Sequence, residues 1–279
     1  MRKLFLWIIT LFLLAGCGKK GIDYASMVGT IERDTLLGVP CCIYLPHAYA
    51  ERTEIFPVLY LQHGMYGSED DWSTQGNLLY WMDSLLQCKA VCEMVVVMPD
   101  NFLGSMPLAE RQALMAAPNV TPDGEPFDTQ NGSAHWRKFT REQERGYEMS
   151  GYWESHFAEF MKEVENRYRV SKVPTQRAIA GLSMGGYHTR QVSQHLPGQF
   201  GYIALFSALV TPPYSLVGNE NALYWIGMGR EDFLYDQLQD YRQWLEANHL
   251  EYTYYESEGG HTWPNWQDYI CRFLKKLFK

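Results

Sequence analysis

Gly181-Leu182-Ser183-Met184-Gly185 sets a serine between glycines two residues away on either side. A short strand, Arg177 to Ala180, precedes it, and a helical stretch opens at Gly186. A serine at the tip of such a turn is held in a strained backbone with its hydroxyl outward, and larger side chains at the glycine positions would collide. That is the setting of a nucleophile. Serine attacks only when a base takes its proton and an acid orients that base, so a histidine and a carboxylate must follow. Where an elbow of this kind opens a triad, the chain order is serine, acid, histidine. His47 and His63 precede the serine, His135 sits in a long irregular stretch, and His156, His188, His195 and His249 fall on or beside helical patterns. His261 remains, in Gly259-Gly260-His261-Thr262-Trp263, between a late strand and the last helix, where the base belongs. For the acid, the strand Leu223 to Met228 runs into Gly229-Arg230-Glu231-Asp232, which points to Asp232, with Glu231 and Asp236 as rivals. Asp232 could also serve simply as a helix cap for the segment from Phe233.

The attacked carbonyl needs two donors for its oxyanion. One is the backbone N–H of Met184, and the other comes from the turn after the strand Val58 to Gln62. In Gln62-His63-Gly64-Met65-Tyr66-Gly67, Met65 is the expected donor, with Gly64 and Tyr66 as neighbours on the same turn. Tyr66, Trp72, Tyr187 and Trp263 lie close to these motifs and could wall a sugar or phenolic acyl group.

These residues require a framework. Met27 to Leu36 and Pro40 to Leu45 read as an antiparallel pair turning near Gly38. Val58 to Gln62 and Met94 to Met98 are unbroken apolar runs, as expected of central strands covered on both faces. Short strands at Ala178 to Ala180, Tyr202 to Phe206, Leu223 to Met228 and Tyr252 to Tyr255 alternate with helical stripes. The stripes are Phe157, Phe160, Met161, Val164, Tyr168; Leu234, Leu238, Tyr241, Leu245; and Tyr269, Ile270, Phe273, Leu274, Leu277. Such alternation predicts an α/β fold: a mostly parallel central sheet, helices on both faces and antiparallel N-terminal strands. Residues 100–150 break the alternation with Pro107, Pro118, Pro122 and Pro126 and read as a long loop or lid. The body, residues 27–279, is expected to be a single domain.

Of the 279 residues, 24 are Lys or Arg and 32 Asp or Glu, a formal charge of −8. That balance excludes a nucleic-acid binder, whose affinity rests on clustered cations. No C-x-x-C, H-E-x-x-H or Cys/His cluster appears, so neither metal nor organic cofactor is expected. Cys41, Cys42, Cys88, Cys92 and Cys271 read as buried apolar side chains, with Cys88 and Cys92 close enough in sequence to pair only at a cost in strain. Met1-Arg2-Lys3 and the uncharged run Leu4 to Leu14 are too short to span a bilayer and fit a signal peptide, residues 1–16. The ending Leu14-Ala15-Gly16-Cys17 resembles the lipobox of bacterial lipoproteins. That resemblance implies acylation of Cys17, a tether over 17–26, and an exported protein held on a membrane, periplasmic or at the cell surface.

Five motifs together resemble the putative-esterase (esterase D-like) branch of the α/β-hydrolases: Tyr60 to Gly67 with Trp72 beyond, Arg177 to Gly186, Phe200 to Ala208, Gly229 to Asp232, and Gly259 to Trp266. The resemblance covers the body apart from the long loop, and implies Ser183 as nucleophile, Asp232 as acid and His261 as base. It is closest in character to exported feruloyl and acetyl-xylan esterases, whose substrate is an acylated carbohydrate. A siderophore esterase, an acyltransferase on the same fold, and an inactive carbohydrate-binding surface lipoprotein are the other readings.

Overall fold

The computed structural model describes residues 29–116, 141–215, 218–220 and 222–279. The expected signal peptide, Cys17, the tether and residues 117–140 of the expected loop lie outside the described residues. Among those described, eight strands form one sheet in the order β1-β2-β4-β3-β5-β6-β7-β8. β1 (Thr30–Leu36) and β2 (Val39–Leu45) make a hairpin across Leu37-Gly38, both at positive φ, the backbone that a tight two-residue connection needs. After α1 (His47–Glu51) the chain enters the sheet as β3 (Val58–Gln62). It then runs through α2 (Leu78–Gln87) into β4 (Val95–Pro99), which pairs antiparallel with β2 and parallel with β3.

The next crossover holds α3 (Asn101–Gly104), α4 (Leu108–Ala116), α5 (Arg141–Glu148) and α6 (Tyr152–Arg167). The described flanks of the stretch expected to be a loop are therefore largely helical. Their mixed, polar sequence hides this, because short helices that pack on one another around Phe102, Leu103 and Met106 need no long apolar stripe. β5 (Arg177–Leu182), α7 (Met184–His195), β6 (Tyr202–Phe206), β7 (Leu223–Gly229), α8 (Tyr235–Ala247), β8 (Thr253–Ser257) and α9 (Trp263–Leu274) complete the chain, all remaining strand pairs parallel.

Alternate side chains of each central strand face opposite layers. Val58 and Tyr60 join the core beneath α6, α7 and α8, with Phe157, Phe160, Val192 and Leu238; Leu59 and Leu61 join that beneath α2 and α9, with Met82, Tyr269 and Phe273. β2 to β5 are buried along their whole length, which is why they read as unbroken apolar runs. Cys41, Cys42 and Cys271 are buried as expected; Cys92 is half-buried and Cys88 is exposed at the end of α2, and none of the five is bridged. From β3 the chain moves to β4 on one side and returns as β5 on the other. The carboxyl ends of β3 and β5 thus flank a switch point, where parallel sheets place their sites.

Candidate active site

β5 ends at Leu182 and α7 begins at Met184, leaving Ser183 alone at the turn with φ 53° and ψ −117°. A non-glycine residue there costs on the order of 1–3 kcal/mol and needs over-determined surroundings. They are present. The Ser183 N–H donates to the Phe206 carbonyl at 2.9 Å, and the Ser183 carbonyl accepts from the N–H of Leu209 at 3.2 Å and of Gly186 at 3.1 Å. A Cβ on Gly181 would strike the Gly185 carbonyl, and one on Gly185 would strike the carbonyl of His63, so both positions must stay bare. As the first residue of α7, Met184 has no acceptor for its N–H within the helix.

The turn after β3 lies against this elbow: a Cβ on Gly64 would sit 3.5 Å from that of Ser183. Gly67 N–H donates to the Gly64 carbonyl at 3.1 Å, and Tyr66 takes φ 63° to close the turn. His63 is its anchor. The His63 and Asn101 N–H groups donate to the Asn101 Oδ1 and His63 Nε2 respectively, each at 3.1 Å, and Nδ1 lies 2.7 Å from the Gly64 carbonyl. Both ring nitrogens are engaged by main-chain groups, so His63 holds the turn rather than acting as a base.

Asp232 and His261 meet across 29 residues. The His261 Nδ1 is 2.9 Å from Oδ2 and 3.0 Å from Oδ1 of Asp232, whose Oδ1 also accepts from Leu234 N–H at 2.9 Å. The carboxylate is fully covered while the imidazole keeps 17% of its surface. Burial alone would raise the Asp232 pKa, but hydrogen bonds from His261 and Leu234 N–H outweigh it and hold the carboxyl below its ordinary value. An ionised Asp232 fixes the proton on Nδ1 and leaves the Nε2 lone pair free. Glu231 and Asp236, the rival acids, are exposed. The two loops are stitched together by Glu231 N–H to the Gly259 carbonyl at 2.9 Å. Asn265, which sequence reading passed over, braces the histidine loop through Nδ2 to the Glu258 carbonyl at 2.7 Å and accepts from Thr262 Oγ1 at 2.7 Å.

The expected aromatic wall is corrected in part. Trp72 is 1% exposed, donates from Nε1 to the Gln62 carbonyl at 3.0 Å, and packs on Phe206 and Trp263; Tyr187 is 5% exposed. Both are structural, because covered rings offer no face to a ligand. Tyr66, beneath the Arg141 guanidinium, and half-buried Trp263 keep open surface. Sequence reading missed Phe233, whose ring centroid lies 4.4 Å from that of His261. The available signal was its place outside the Leu234, Leu238, Tyr241, Leu245 stripe.

Beneath the elbow lies a second buried pair, His188 Nδ1 with Glu154 Oε1 at 2.7 Å. Glu148 of α5 is 1% exposed and neither carboxylate oxygen has a hydrogen-bond partner among the described residues. Burial pushes its pKa up to about 7; His188 and His63 pull it down, while Asp100 and Glu154 raise it further. Because the folded value exceeds the ordinary 4.5, folding favours the protonated form, and a penalty grows as pH rises from there to about 7. Glu148→Gln is therefore expected to raise Tm at about pH 8 and leave it unchanged at about pH 4. An unchanged Tm at both pH values would refute this environment.

Comparison with known proteins follows the same lines. The family model described as Putative esterase matches residues 38–277. An endo-1,4-beta-xylanase/feruloyl esterase of Xylanibacter ruminicola is 25% identical over 243 residues, 85% of this chain but 29% of that protein. An acetyl esterase of Caldicellulosiruptor saccharolyticus is 28% identical over 173 residues, 45% of this chain and 65% of its own. The chain thus spans less than two thirds of either curated relative. Among solved structures, a ferulic acid esterase of Anaeromyces mucronatus in complex with ferulic acid has a TM-score of 0.66 at 20% identity, covering 93% of each chain. The S-formylglutathione hydrolase of Staphylococcus aureus has a TM-score of 0.60 at 16% identity, over 89% of this chain and 95% of its own. At these identities the structural likeness speaks to the fold, that of the α/β-hydrolases.

Proposed function

The chain belongs to the Putative esterase family, and from that premise we propose that it is a serine carboxylic-ester hydrolase that removes feruloyl or acetyl groups from plant-type polysaccharide. The observation that carries the chemical half is the Asp232–His261 hydrogen bond, which leaves Nε2 free to take a proton. Ser183 at its strained elbow is the group to be deprotonated. In this reading Ser183 Oγ attacks the ester carbonyl as its proton passes to Nε2 of His261. The oxyanion is held by the N–H groups of Met184 and Met65, each worth about 3 kcal/mol in the transition state. His261 returns the proton to the departing alkoxide, and water, deprotonated by the same nitrogen, releases the acid and restores Ser183. The substrate half is supported by the activities for which the two curated relatives are named.

The test is hydrolysis of methyl ferulate, a feruloylated arabinoxylan oligosaccharide and acetylated xylan by the full-length chain in mild detergent. Release of ferulate or acetate from the carbohydrate is the expected result; cleavage of methyl ferulate alone would overturn the polysaccharide reading. The lipobox-like ending supports a lipid tether at Cys17. Cys17→Ser is then expected to move the protein from the membrane fraction to the soluble one, and unchanged partitioning would refute the tether.

A further inference from the structure

Phe233 is 76% exposed, the most exposed large hydrophobic side chain among the described residues. Leaving such a ring in water gives up the stabilisation that its burial would bring. Nor is it carried on a loose segment. The Asp232 carboxylate accepts from Leu234 N–H on one side of it, the Asp232 carbonyl accepts from Tyr235 N–H at 2.9 Å, and Glu231 N–H is tied to Gly259. The turn that positions the acid therefore holds Phe233 out from the body.

Among the described residues the His261 imidazole has two aromatic neighbours. Trp266 stands perpendicular to it at 5.0 Å and is 7% exposed, so it belongs to the body. Phe233, tilted by 49° at 4.4 Å, is the neighbour open to solvent. Acyl transfer fixes what passes there. The leaving oxygen must come within hydrogen-bond reach of His261 Nε2 to receive its proton, so the group bonded to that oxygen crosses the space beside the imidazole. On the ester-hydrolase reading, Phe233, beside the imidazole, borders the alcohol half of the ester. A sugar ring has apolar C–H faces that stack on an aromatic ring, and a rigidly held ring gives up little freedom in doing so. Arg230, the nearest cation in sequence, is engaged with Glu256 and Glu258, which leaves the position suited to an uncharged alcohol.

We propose that Phe233 is a specificity-determining residue, an aromatic platform on which the carbohydrate that carries the acyl group stacks. This rests on the ester-hydrolase reading above and extends it to the leaving group. The platform acts through substrate binding, so it raises KM-dependent selectivity for esters of ring sugars and does little for esters of simple alcohols.

The experiment compares full-length wild type, Phe233→Ala and Phe233→Trp on two esters with the same acyl group, methyl ferulate and a feruloylated arabinoxylan oligosaccharide. Phe233→Ala is expected to lower kcat/KM on the oligosaccharide by about tenfold, mostly through KM, and on methyl ferulate by less than about twofold; Phe233→Trp restores the oligosaccharide rate. Equal losses on both esters, or a shifted pH midpoint on methyl ferulate, would mean that the ring shields His261 instead, and would overturn the proposal. No change on either ester overturns it too. Wild type that cuts methyl ferulate and leaves the oligosaccharide untouched removes the polysaccharide reading and this inference together, whereas an oligosaccharide cut equally well by Phe233→Ala removes only the platform.

Discussion

Ser183→Ala is expected to lower kcat on methyl ferulate by roughly a million-fold while leaving Tm unchanged. The size follows from the way the site works as a unit. With the hydroxyl gone, the proton acceptor on His261 and the donors facing the carbonyl have no covalent step to assist, and only substrate binding and oxyanion stabilisation remain. Stability should hold because the elbow is fixed through main-chain atoms: Ser183 N–H on Phe206 and the Ser183 carbonyl on Leu209 and Gly186. Alanine bears the same positive-φ strain as serine. The checks are steady-state kinetics and labelling by a fluorophosphonate, which wild type should take up and the variant should not. Retained turnover with intact folding would transfer the nucleophile's role to another group and end the assignment.

Asp232→Asn is expected to cost about ten-thousand-fold in kcat. In the native site Oδ1 receives Leu234 N–H as well as His261, and Oδ2 receives His261. An asparagine keeps its oxygen toward Leu234 N–H, because an amide nitrogen there would face another donor. Its NH2 group then points at His261 Nδ1, which must become the acceptor, and the ring proton moves to Nε2, where the base's lone pair was needed. The loss should fall on kcat rather than KM. The same substitution has a signature in stability. Because the Asp232 carboxyl is held below its ordinary value near 3.8, its contribution is complete above that value and disappears as pH falls through the lower folded-state value. Denaturation curves below about pH 4 should therefore be flatter for Asp232→Asn than for wild type. A kcat within tenfold of wild type would show that Asp232 does not set the tautomer.

Several features were legible because their cause is local. The elbow is a backbone demand met within five residues, so Gly181, Ser183 and Gly185 announce it in the letters themselves, and the structure meets it with Ser183 at φ 53°. Val58 to Gln62 announced a central strand because both its faces are covered. The antiparallel opening and all eight strands lie close to where apolar runs suggested. The helices of 101–116 and 141–148 were not legible, because they are short and pack on one another around Phe102, Leu103 and Met106 rather than carrying a long apolar stripe.

Other properties depend on what packs against a residue from far along the chain. The letters place Phe233 outside the α8 stripe but do not say that Trp72 is sealed under Trp263 while Phe233 is left open beside His261. Glu148 reads as one more charge in a polar helix, and becomes a buried acid only when α5 lies over the body near His63 and His188. Choosing among Glu231, Asp232 and Asp236 likewise needed the loop after β8 to arrive, since a hydrogen bond spanning 29 residues is made by the sheet order and not by neighbours in sequence. By itself the sequence determined the strained elbow at Ser183, the strands and the class of fold, since each rests on local backbone and on the period of apolar residues. Tertiary structure decided which aromatics keep a free face and which carboxylates lose their water, and brought Asp232, to which the sequence pointed, against the histidine, because solvent access and partners are properties of the assembled layers.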